Sequence, residues 1–244
     1  MDNKDKIWQL GMIYMVSSFA FFIVFLCIGN GYATFVFCTI YTLSGIGLML
    51  LSHGQVKFLS WNEKSNPLGI ALGYFWPVIL MFYTGLTKYH LLSYNNLWHI
   101  AAVFASVLFV LLLATGINKA AGYVAGQVVV MLIASLFWGF GSAVVANCIF
   151  DGSAPQKYNT TIANRYTSTG RGVRYHLMID GWRPGLYGKT VDVKKNEYEK
   201  AAVDTAVSIV EKKGLFNVPW FTYTIDAAPP VPAGSGNGNS PATR

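Results

Sequence analysis

The C-terminal third of this chain holds the residue types from which a hydrolytic site could be built. His176 could serve as a general base, Asp180 or Asp204 could orient it, and Ser168 or Ser208 could act as nucleophile. Such chemistry needs hydroxyl, imidazole and carboxylate in hydrogen-bonded series. No local motif supports the assembly. The chain has no G-x-S-x-G turn to thrust a serine outward, no HExxH pair to hold zinc on one helix face, and no Walker loop of amides to cradle phosphate. The glycine-rich run Gly234-Ser235-Gly236-Asn237-Gly238 follows no credible strand and opens no helix, so it reads as linker. Cys27, Cys38 and Cys148 form no CxxC pair and have no histidine at ligand spacing. They read as buried apolar thiols. The expectation is no catalytic, cofactor-binding or metal-ligating residue, no cofactor, and no enzyme.

The solvent around these residues decides much of what they can do. The chain has 244 residues, of which 53% are hydrophobic and only 12% charged. Soluble domains carry about 25% charged residues, so lipid is the expected solvent for much of this chain. The acidic residues are also segregated: Asp2, Asp5 and Glu63 precede residue 150, and the other eight follow it. The net charge of +7 does not point to nucleic acid. From Asp151 onward, twelve Lys and Arg face eight Asp and Glu, with neither a basic stripe nor a recognisable module.

A bilayer core of about 30 Å takes roughly 20 apolar residues in a helix. Five stretches qualify, at about 7–28, 33–51, 68–86, 97–117 and 124–145. The first exceeds a signal-peptide core and runs into another apolar span, so it reads as a retained helix. None of the five contains Asp, Glu, Lys or Arg, which argues against a proton relay or ion path. His99, beside Trp98, fits an interfacial ring. Thr34, Tyr41 and Ser44 share roughly one face of the second span, Pro77 predicts a kink in the third, and Gly69/Gly73 and Gly122/Gly126 have helix-packing spacing.

Lys4, Lys6, Lys57, Lys64 and Lys119 fall on the N-terminal side, against Lys88 alone in the opposite short loops 29–32 and 87–96. The positive-inside rule then puts the N-terminus in the cytoplasm, and an odd number of spans puts the C-terminal domain outside.

Beyond Asp151 the hydrophobic period changes to that of strands. Tyr158–Tyr166 and Tyr175–Trp182 flank a Ser168–Gly172 turn and read as a hairpin. Further strands are expected at Thr190–Val193, Ala206–Glu211 and Trp220–Ile225, with a helical turn in Asn196–Val203. Tyr158, Thr160, Ile162, Asn164 and Tyr166 should share one face and meet Tyr175, Leu177 and Ile179 across the hairpin. The Pro- and Gly-rich end lacks the apolar bulk to order.

The fold class expected is a membrane all-α bundle of about five transmembrane helices followed by a small, mainly antiparallel β-domain. The domains are 1–150 transmembrane, 151–226 β-rich and extracytoplasmic, and 227–244 disordered. The join carries Asn147-Cys148, Asp151-Gly152-Ser153-Ala154-Pro155, Trp182, and a closing Gly214-Leu215-Phe216 before Pro219-Trp220-Phe221. Over roughly 145–225 this resembles a group of uncharacterised bacterial polytopic membrane proteins with a small C-terminal β-domain. The resemblance implies a bacterial plasma (inner) membrane location and carries over no functional residue. The function expected is a non-enzymatic structural or interaction protein acting through its outer β-domain. The alternative is a small-solute or ion-permeation protein working as a homo-oligomer. Expected partners are the lipid bilayer and a protein partner or a second copy of the chain, with no nucleic acid.

Overall fold

The computed structural model describes residues 3–52, 56, 58, 69–117, 123–170 and 172–225. Lys57, Lys64 and Lys119 of the charge count, Leu68, Gly122 and the segment 227–244 lie outside the described residues. The chain forms two units. Residues 1–154 and 212–221 make the first, and 155–211 with the residues from Thr222 onward make the second.

The first unit is helical. Its elements are α1 (Asn3–Ile28), α2 (Gly31–Leu51), α3 (Gly69–Lys88), the short strand β1 (His90–Leu91), α4 (Leu97–Gly116) and α5 (Val124–Ile149). Gly29, at φ +62, breaks α1, and Asn30 then caps α2 by accepting the Ala33 amide at 3.1 Å. Among the described residues, α1, α2, α4 and α5 are long and apolar enough to cross a membrane. The third expected span is a helix too, and it is not among those four. It also runs on to Lys88, a residue expected in the following loop. That loop contains a strand, β1, which the apolar pattern did not announce.

Large apolar side chains cover the outside of these helices, among them Ile13, Ile40, Val103 and Val110, each more than 60% exposed. Water would penalise such a surface by roughly 25 cal/mol per Å2, whereas lipid does not. The interior is filled by Tyr74, Leu80, Met81, Leu108, Leu112 and Met131. Helices α3 and α4 both lie against α5. A Cβ on Gly139 would stand 2.6 Å from the Ala105 amide nitrogen, and one on Gly141 would stand 2.6 Å from the Met81 carbonyl. These are the close backbone approaches that small residues permit in lipid. They are not at the sites the spacing singled out: Gly126 has open space around it, and Gly73 faces the Tyr14 ring.

The second unit is a sheet. Its strands are β2 (Gln156–Thr169), β3 (Val173–Ile179), β4 (Lys189–Val193), β5 (Ala206–Lys212) and β6 (Trp220–Ile225), with α6 (Lys195–Lys200) after β4. The order β6-β5-β2-β3-β4 holds within this unit, to which β6 contributes Thr222–Ile225. The β2–β3, β2–β5 and β3–β4 pairings are all antiparallel, and the hairpin turns between Thr169 and Val173 as expected. Ile162, Leu177, Ile179, Val191, Val207 and Ile209 are each no more than 2% exposed and form its core.

One expectation fails here. Ile162 pairs with Ile179 but Asn164 pairs with Met178, so the register shifts by a residue at Ala163. This bulge turns Asn164, Tyr166 and Ser168 away from the core face and onto the other side of the sheet. The regular alternation of apolar residues from Tyr158 to Tyr166 therefore does not describe one face.

Candidate functional site

The bulge builds the most organised cluster of polar side chains in the sheet unit. Past Ala163, Tyr166 pairs with His176, and His176 pairs in turn with Asp192 on β4. Ser168 lies two residues beyond Tyr166 on the same face. Its hydroxyl is 2.8 Å from His176 Nε2, and His176 Nδ1 is 2.7 Å from Asp192 Oδ1. The Tyr166 ring stacks on the imidazole with centroids 4.8 Å apart. The imidazole is mostly covered, with 12% of its side chain exposed, while Asp192 stands 69% exposed.

Of the residues considered for a hydrolytic site, the structure brings Ser168 and His176 together. It leaves the others apart. The Asp180 carboxylate accepts the neighbouring Gly181 amide at 2.8 Å. Asp204 occupies a turn at φ +66, and its amide reaches the Ile162 carbonyl at 2.9 Å. Ser208, on β5, pairs with Asn159 on β2. The carboxylate that does reach His176 is Asp192, which sequence reasoning passed over. Its position on an expected strand was a usable signal, but the register across the 180–188 connection was not.

The opposite face is closed. Arg165 donates to the Ala201 carbonyl at 2.7 Å and lies 5.1 Å from the Tyr198 ring centroid. Trp182 Nε1 donates to Glu211 Oε2 at 2.9 Å, and Arg183 approaches the same buried carboxylate at 3.3 Å. Burial, followed by the charges of Glu197 and Asp192, pushes the Tyr223 hydroxyl up to about 12.

No family model, curated protein or solved structure matches this chain. Its possible chemistry has to be read from its own geometry.

In the helical unit, polar side chains mostly serve each other. Tyr14 donates to the Tyr41 carbonyl at 2.8 Å, Tyr41 donates to the Tyr14 carbonyl at 2.5 Å, and Ser17 meets the Tyr41 hydroxyl at 2.6 Å. Tyr74 donates to the Thr42 carbonyl. The expected seam of Thr34, Tyr41 and Ser44 is not continuous, because Ser44 is exposed and the buried stripe of α2 runs Thr34, Cys38, Thr42, Gly45. All three cysteines are free. Cys38 and Cys148 are buried, whereas Cys27 is exposed, against expectation. Among the described residues no three His, Cys, Asp or Glu side chains converge as a metal site.

A second polar cluster lies at the end of α5. Asn147 donates to the Val218 carbonyl at 2.8 Å and accepts the Phe216 amide at 3.0 Å. Asp151 accepts the Ser153 amide at 2.8 Å, the Gly214 amide at 2.9 Å and Trp220 Nε1 at 2.8 Å. Burial alone would raise the Asp151 carboxyl, but the hydrogen bonds from Ser153, Trp220 and Gly214 outweigh it and hold the group below its ordinary value. Gly214 is at φ +78, and a Cβ there would run into the Val218 carbonyl. This cluster is a latch: it clamps Lys212–Phe221 to the helix end.

Proposed function

We propose that this chain is a multi-pass protein of the bacterial plasma membrane whose β-unit is an interaction module rather than an enzyme. The observation that carries the reading is the Tyr166, Ser168, His176, Asp192 face. Its side chains bond one another laterally and lie across regular strands, with Arg174, Met178 and Thr190 exposed beside them. Ser168 and Asp192 stand exposed on this face, where solvent screening weakens the carboxylate that would have to activate the pair. A flat, pre-ordered array with tyrosine and arginine suits a protein surface, since those residues dominate interface energetics at low ordering cost.

Capture of the full chain from membranes in mild detergent tests this. The wild type should retain a protein partner or a second copy of itself, and the double substitution Tyr166→Ala with His176→Ala should lower retention by tenfold or more. A strictly monomeric protein that captures nothing would end the proposal. Covalent labelling of Ser168 by a fluorophosphonate would instead identify the relay as an activated nucleophile.

The same proposal places the N-terminus in the cytoplasm and the β-unit outside, with α3 as the fifth span. Parity makes this sharp. A reporter active only in the cytoplasm should work when fused at Met1 and fail when fused after Ile225. Activity at both ends would mean that α3 does not cross and that four spans return the chain to its starting side.

A further inference from the structure

At one end of α1–α3, a cavity of about 250 Å3 opens among side chains for which the helical packing supplies no role. Phe25, Leu80 and Tyr83 form its apolar wall, and Gly29, Thr84 and Lys88 its polar one. Lys88 is the only Lys or Arg in α2, α3, α4 and α5. Its ammonium donates to the Gly29 carbonyl and lies beside Gly31, the first residue of α2. One acceptor occupies one of the three donors an ammonium offers. The 21-residue helix α2 adds the positive end of its dipole at the same place.

Thr84 supplies the independent sign of a ligand. Helical threonines commonly return the hydroxyl to the carbonyl four residues back. Thr34, Thr87 and Thr115 do so here, at 2.8, 2.8 and 2.7 Å. Thr84 is only 8% exposed and lines the cavity, and its hydroxyl bonds no described residue. Its oxygen opens into the cavity rather than into closed protein interior, so its hydrogen-bonding capacity is left to whatever occupies the cavity.

We propose that this cavity binds a phosphate oxyanion, the group shared by a phospholipid headgroup and inorganic phosphate. Lys88 and Thr84 take phosphate oxygens, while the Phe25, Leu80 and Tyr83 wall accepts the glycerol and first acyl methylenes of a lipid. The volume sits just under the roughly 300 Å3 at which sites for whole drug-sized ligands begin, and suits a headgroup.

The full-length protein in detergent is exchanged into phosphatidylglycerol or into monogalactosyldiacylglycerol, which lacks phosphate, and the retained lipid is counted by native mass spectrometry. Phosphatidylglycerol should be retained in preference. Lys88→Gln should lower its retention about tenfold or more, and the near-isosteric Thr84→Val about threefold to tenfold, with Lys88→Arg close to wild type. Inorganic phosphate at millimolar concentration identifies the source: displacement of the lipid makes free phosphate a ligand as well, and no displacement assigns the site to the headgroup. Equal retention of the two lipids, or wild-type retention in both Lys88→Gln and Thr84→Val, overturns the proposal.

Discussion

Replacing Ile179 with Asp is expected to unfold the β-unit while the helices stay inserted. Ile179 is 1% exposed and faces Ile162, itself fully buried, across the β2–β3 pair. The substitution removes about 2–3 kcal/mol of apolar burial and leaves a carboxylate with no partner in the core. Together these exceed about 4 kcal/mol, a large share of the stability of any small unit. The helical unit has its own core around Tyr74, Met81 and Leu112 and does not contain Ile179. Proteolysis of the membrane-inserted protein should therefore digest residues 155–211 and spare α1–α5. Digestion at the wild-type rate would mean that β3 does not organise that core.

Opening the latch should have the next largest effect. Asp151→Ala would strand the Gly214 amide and the Trp220 indole, and the loss of two charge-assisted bonds costs about 3–5 kcal/mol. The freed segment carries Lys212 and Lys213, so trypsin at neutral pH should cut there in the variant and not in the wild type. The latch also carries a pH signature. The folded Asp151 carboxyl ionises at lower pH than the unfolded one, so its contribution is complete above the ordinary aspartate value and fades as pH falls through the depressed folded value. The apparent Tm of the detergent-solubilised chain should fall across that acid range, and Asp151→Asn should flatten the fall. An unchanged slope in Asp151→Asn would remove Asp151 from the account.

The helices were legible because span length and apolar content are local properties. Four of the five expected stretches meet the length and hydropathy of a membrane span. The hairpin was legible for the same reason, since the turn residues between Thr169 and Val173 lie between two runs of strand-forming side chains. What stayed hidden depends on a third dimension. A single bulged residue, Ala163, decides which face Tyr166 and Ser168 occupy, and its own side chain gives no sign of it. Asp192 reaches His176 only through a cross-strand register set by a nine-residue connection. Lys88 looked like a loop cation because α3 runs two residues past Leu86, its last apolar residue. Asn147, Asp151, Gly214 and Trp220 stood out as landmarks, but nothing in their spacing, 63 residues from Asp151 to Gly214, marked them as partners.

The two ends of the excursion through the sheet meet. Ser153, where the chain leaves the helical unit, accepts the amide of Lys213, where it returns, at 3.1 Å, and the Lys212 ammonium reaches the Asp151 carbonyl at the same distance. Residues 155–211 thus leave and re-enter the helical unit at one closed junction, and the chain passes into the sheet unit a second time at Thr222. Evolution, or an engineer, can change the length of this excursion at little loop-closure cost to the helices, provided that β5 is kept for β6 to lie beside.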